Sequence, residues 1–174
     1  MALLAGTEAF VSGLLYPLRT PAHIVSLTGL GLVVGRVIWS AQTQTLAAFA
    51  SGLVVGLGII AWGIGETSAN NVLLSMAVLC GLVAATNIPV SARFTAPVSL
   101  VSGAALGLDS PPDVILLREA ILMMIGTACG DIAFLTVASA TASAFSRPWR
   151  GIVVRVAGSW TAAIAILVLA LRWM

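Results

Sequence analysis

Residues 151–173 read Gly-Ile-Val-Val-Arg-Val-Ala-Gly-Ser-Trp-Thr-Ala-Ala-Ile-Ala-Ile-Leu-Val-Leu-Ala-Leu-Arg-Trp, an apolar run with an arginine near each end. About 20 predominantly apolar residues are needed to cross the hydrocarbon of a bilayer as a helix. Further apolar stretches lie at 22–40, 45–65, 69–85, 90–108 and 114–145. The stretch 114–145 is long for one crossing, so its ends should tilt out or bend. The intervening segments 41–44, 66–68, 86–89, 109–113 and 146–150 are short. Short connections force successive helices to lie antiparallel and side by side. The pattern predicts an all-α integral membrane protein, one membrane domain over residues 1–174, folded as a compact bundle of six transmembrane helices.

Composition supports this reading. The chain has 174 residues, 60% of them hydrophobic and only 8% charged. A soluble domain carries roughly 25% charged residues. So few charges cannot cover a water-facing surface, and the outer face must meet lipid. The net charge of +2 is small and spread along the chain, which argues against a nucleic-acid partner. Cys80 and Cys129 sit inside apolar runs, where a thiol is usually a small apolar filler. The N-terminal region lacks the basic start of a signal peptide. Its apolar part, residues 9–15, is too short to span and is followed by Pro17, which predicts a short re-entrant or interfacial half-helix that breaks there.

Charge suggests an orientation. Arg147 and Arg150, with Arg155 just beyond, mark the last connection as cytoplasmic by the positive-inside rule. Alternation then puts Arg36 and Arg93 at cytoplasmic ends, and Glu66, the 109–113 connection and both chain termini outside. Arg19 and Arg172 run against this placement. The expected location is a cytoplasmic (bacterial inner) membrane. Trp39, Trp62, Trp149 and Trp173 fall near predicted helix ends, where indole suits the membrane interface. Glycines recur four apart as Gly31 and Gly35, Gly52 and Gly56, Gly103 and Gly107, and Gly126 and Gly130. Such pairs let helix backbones approach closely, so these positions are read as packing sites.

Two segments carry chemistry. The first is Tyr16-Pro17-Leu18-Arg19-Thr20-Pro21-Ala22-His23, which holds the chain's single histidine and single tyrosine. The second is Ser102-Gly103-Ala104-Ala105-Leu106-Gly107-Leu108-Asp109. Together they resemble the HupE/UreJ family of small secondary nickel or cobalt permeases, whose motifs are His-Pro-x-x-Gly-x-Asp-His and His-Gly-x-Ala-His-Gly-x-Glu. Residues 71–82 and the opening Arg155-Val156-Ala157-Gly158 of the final helix are similar as well. The resemblance implies a helical permease fold, with nickel or cobalt as the transported ion. In the matched positions Pro17, His23, Gly103, Ala105 and Gly107 are kept, and Asp109 stands in place of Glu. Tyr16, Thr20, Ala22, Ser102 and Leu106 depart from the motifs. A single imidazole gives a divalent transition metal one bond, and such ions need several converging donors.

Among other donors, Asp131 is the most notable, because ionisable groups within membrane helices are costly and are usually paired or functional. Arg36 and Arg93 are possible partners for it. The candidate ligand or pathway residues are His23, Tyr16, Asp109, Asp131 and Cys129. Arg118 and Glu119 are read as interfacial, and Asn70 and Asn71 as a helix cap. The break at Pro17 can fold the Tyr16 hydroxyl back towards His23. No phosphate loop, Cys-x-x-Cys or nucleophile–base set is present in the sequence, which points away from an enzyme. The expectation is a non-transporting accessory or structural subunit of the permease fold. It would have no resident cofactor, and its partners would be the bilayer and a membrane protein or a second copy. The alternative is a divergent secondary transporter of nickel, cobalt or another small solute.

Overall fold

A computed structural model describes residues 2–62, 69–86, 90–112, 116–145 and 151–172, the side chains of 2–5 and 39 excepted. The expectations for Glu66, Arg147, Trp149, Arg150 and Trp173 fall outside these residues. Among the described residues the chain is helical, with no strand. The helices are α1 (Ala2–Arg19), α2 (Pro21–Val34), α3 (Trp39–Ala61), α4 (Ala69–Ala85), α5 (Ala92–Leu108), α6 (Leu117–Ala144) and α7 (Gly151–Arg172). Three stretches, Ser40–Ala61, Leu117–Ala144 and Gly151–Arg172, are long and apolar enough to cross a membrane. The segments Pro21–Val34, Ala69–Ala85 and Ala92–Leu108 are apolar but shorter.

The N-terminal half-helix is corrected. α1 is an 18-residue helix that runs through Pro17. Pro17 withholds one backbone donor, but its ring is accommodated where α6 has only a glycine: a Cβ on Gly130 would lie 3.1 Å from the Pro17 Cγ. The chain breaks instead at Thr20, which is extended at φ −100° and ψ 108°. A residue before proline is pushed out of the helical region, and Pro21 then opens α2 as a preset first helical residue.

The expected first crossing, 22–40, is also divided differently. α2 ends at Val34, and α3 begins at Trp39, so the expected connection 41–44 lies inside α3. The backbone N–H groups of Ala41 and Gln42 donate to the Ile38 carbonyl. The buried Gln42 side chain donates to the Val34 carbonyl at 3.2 Å, alongside the Val37 N–H that the same carbonyl accepts at the end of α2. The Gln42 bond also shows that α3 starts at the level where α2 ends.

Glycine contacts fix the other directions. Gly126 lies against the backbone of Phe10 and Leu14, and Gly130 against Leu14, so α1 runs parallel to α6. Gly31 meets Ala138, and Gly35 meets Ser139 and Ala142, so α2 runs parallel to the later half of α6. Thus α1 and α2 follow one another along the 28 residues of α6, about 42 Å at 1.5 Å per residue. They form one broken element. Gly52 and Gly56 pack on Leu100 and Ala104, while Gly103 and Gly107 pack on Phe49, Leu53 and Leu57, so α3 and α5 are parallel. Gly29 beside Ala77 and Cys80, with Arg36 beyond the end of α2 bonded to the Val83 and Ala84 carbonyls, makes α2 and α4 parallel; Gly81 beside Gly158 and Ala162, together with Gly158 beside Ala84, makes α4 and α7 antiparallel.

The core between these helices holds Leu27, Leu30, Phe49, Leu53, Leu73 and Leu106, all fully buried. In a bilayer such contacts act through close packing more than through exclusion of water. One end of the bundle carries arginines. Arg36 donates to the carbonyls of Val83 (3.1 Å) and Ala84 (3.3 Å), and Arg155 to that of Ala85 (3.1 Å). Both cations thus sit on the negative end of the α4 dipole. Partial burial, and then the nearby Arg155, lower the pKa of the Arg36 guanidinium from its ordinary value.

Candidate functional site

The break at Thr20 places His23 in the first turn of α2, at the level of Gly130 and Asp131 in α6. The imidazole is fully buried and has a carboxylate on either side. Its Nε2 is 3.3 Å from Asp109 Oδ2, and its Nδ1 is 3.8 Å from Asp131 Oδ1. Asp131 is fully buried, while the Asp109 side chain is 15% exposed and forms the outer member. Three elements converge here: the start of α2, the end of α5 and the middle of α6.

Tyr16 completes the site from α1. Its hydroxyl donates to the Asp109 backbone carbonyl at 3.1 Å. Its ring stands edge-on to the imidazole, with centroids 5.3 Å apart and planes at 77°. The bond to Asp109 bridges α1 and the end of α5, and the ring covers one face of His23.

The structure therefore gathers His23, Tyr16, Asp109 and Asp131. Cys129 is exposed. It lies two residues from Asp131, about 200° round the helix, and so turns outward. The partners expected for Asp131 are corrected as well. Arg36 is engaged with the carbonyls of α4, and Arg93 is exposed, whereas Asp131 faces His23. The reason is register: α2 runs parallel to α6 with His23 opposite Asp131, and both arginines lie at the other end of the bundle. Asn71 accepts a 3.4 Å hydrogen bond from Arg172, while the Asn70 Oδ1 is buried without a partner. Arg118 is exposed and Glu119 half-buried.

The two imidazole nitrogens point in opposite directions, one to each carboxylate. A single ion between these groups would meet one nitrogen and one of the two aspartates. Among the described residues no three His, Cys, Asp or Glu side chains form a group able to hold a metal ion. An imidazole accepts at one nitrogen and donates at the other, so His23 stands between the partly exposed Asp109 and the buried Asp131 as a proton relay would. Neither nitrogen makes a hydrogen bond to its carboxylate here, and a relay needs the 3.8 Å gap to Asp131 to close. Ser99 and Ser102 were not singled out as polar centres by sequence reasoning, yet both are buried on α5 with hydroxyls that lack a partner. Their signal in the sequence was the spacing of Ser99, Ser102 and Asp109, which lie on one helical face. No family model, curated protein or solved structure matches this chain.

Proposed function

We propose that this chain is a small multi-pass carrier of a cytoplasmic membrane that couples movement of a small solute to protons held by Asp109, His23 and Asp131. In this reading the broken α1–α2 element and helices α3 to α7 make six crossings. The arginine end, with Arg36, Arg93 and Arg155, faces the cytoplasm, and both termini lie outside. Nickel and cobalt are the first solutes to try, given the resemblance to the HupE/UreJ permeases.

The carrying observation is His23 held between two carboxylates inside an apolar bundle. Intramembrane ionisable groups of this kind mark ion paths and proton relays. A helix interrupted beside the site strengthens the reading, because transporters build midplane sites at such interruptions. The missing donors favour a second reading, an accessory subunit. Leu106, fully buried, and Ser102 stand where the resemblance expects ligands.

Uptake into proteoliposomes under an imposed pH gradient separates the two. The carrier reading expects solute uptake that collapses the gradient and disappears in Asp131→Asn. The accessory reading expects vesicles no different from empty ones, together with a membrane protein that co-purifies in mild detergent whether or not His23 is changed to Ala.

A further inference from the structure

Most buried hydroxyls in this bundle donate back to a carbonyl of their own helix. Thr45 bonds Ala41, Thr95 bonds Ser91 and Ala92, Ser110 bonds Leu106, Thr127 bonds Met123, and Thr161 bonds Ala157. Such back-bonding is the usual way a hydroxyl is satisfied within a membrane helix. Ser99 and Ser102 depart from it. Both are buried, at 0% and 1% exposure, and neither Oγ has a partner. A buried polar atom left unpaired is costly, and an ordered water is a common partner for one.

The two serines lie in a column. Thr95, Ser99, Ser102, Leu106 and Asp109 all fall within an arc of about 80° on α5, at 100° per residue. From Thr95 to Asp109 the column runs about 21 Å along the axis. Its far end is polar too: the Thr45 and Thr95 hydroxyls are 3.1 Å apart, and Gln42 is buried close by in sequence, one turn before Thr45. That end is the arginine end of the bundle, where Arg93 opens α5. One apolar residue interrupts the column. Leu106, fully buried, sits between Ser102 and Asp109.

We propose that Thr95, Ser99 and Ser102 bind water and form a proton path from the arginine end of the bundle towards Asp109, with Leu106 as the apolar barrier that closes it. This rests on the proton-carrier reading of the His23 site. Each hop breaks one O–H bond and forms another, so a single proton moves and no electron does. The groups that exchange it at the Asp109 end are Asp109 itself, His23 beside it, and Asp131 beyond. Leu106 keeps the two polar layers apart in the conformation seen here, as an uncoupled leak would otherwise dissipate the gradient.

The test is passive proton entry into liposomes loaded with a pH-sensitive dye, driven by a potassium diffusion potential. Leu106→Ala and Leu106→Ser are expected to admit protons several-fold faster than wild type. Adding Ser99→Ala and Ser102→Ala should return entry to the wild-type rate. The serine pair changed alone, a minimal change in volume, should slow coupled proton movement. Folded Leu106 variants that leak no faster than wild type would overturn the path, and so would a leak indifferent to the serines or one that carries sodium in place of protons. If Asp131→Asn still abolishes coupled uptake in those cases, the carrier reading stands and only the path falls. If no solute is carried yet the Leu106 variants leak, the reverse holds.

Discussion

Truncating His23 to Ala leaves the buried Asp131 carboxyl facing a void, with no polar group in reach among the described residues. A buried polar group stripped of its neighbour costs about 1–3 kcal/mol. His23→Ala is therefore expected to lower the unfolding midpoint in detergent markedly, and His23→Leu combined with Asp131→Leu to recover much of the loss. Equal loss in the single and double variants, read by thermal melts, would show that the contact contributes nothing. Tyr16→Phe keeps the edge-on ring and removes one hydrogen bond to the Asp109 carbonyl. It is expected to cost about 0.5–1.5 kcal/mol, measured in the same melts. The residues of this site were legible one at a time: an intramembrane Asp131, a lone His23, an Asp109 ending a glycine-framed helix. Their meeting was not, because it joins positions 23, 109 and 131 from three helices. Parallel packing of α2 on α6 set that register, and local pattern carries no record of which helices pair.

Between helices, glycine decides how near two backbones come. A Cβ on Gly126 would fall onto the Phe10 carbonyl oxygen and within 3.0 Å of the Leu14 nitrogen, whereas a Cβ on Gly58 would meet nothing within 4 Å. Gly126→Val must push α1 away from α6 and is expected to cost more than the 1–3 kcal/mol typical of overpacking, since backbone has to move. Gly58→Ala should be neutral or stabilising by up to about 1 kcal/mol through helix propensity. Unfolding of the two variants in detergent, compared side by side, checks this, and equal midpoints would refute close packing at Gly126. Apolar run length predicted the cores of the helices well, and α4 falls on its expected bounds, 69–85. It failed where a boundary depends on one backbone angle or one side chain. Thr20 before Pro21 broke the chain where Pro17 did not, and Gln42 capped α2 from a segment that read as a loop.

At the scale of the molecule, direction alternates strictly once α1 and α2 are taken as a single broken element. That element, α4 and α6 run one way; α3, α5 and α7 run the other. The six crossings proposed for this bundle would put the start of α1 and the end of α7 on the same side. The side is set by charge, since arginines in short connections are retained on the cytoplasmic face. Arg36, Arg93 and Arg155 gather at one end, and Arg36 and Arg155 are further held there by the carbonyls of α4. Arg172, at the other end, is hydrogen-bonded to Asn71. The proposed topology therefore has both termini outside. Alkaline phosphatase fused at the C-terminus, active only when exported, is expected to be active, and a green fluorescent protein fused there to stay dark. A further fusion made after Ala85, at the arginine end of α4, should give the reverse pair of signals. If the C-terminal fusion fluoresces and the fusion after Ala85 is exported, the bundle is inverted: the column of Thr95, Ser99 and Ser102 would then open outward, and the His23 site would load its protons from the cytoplasm.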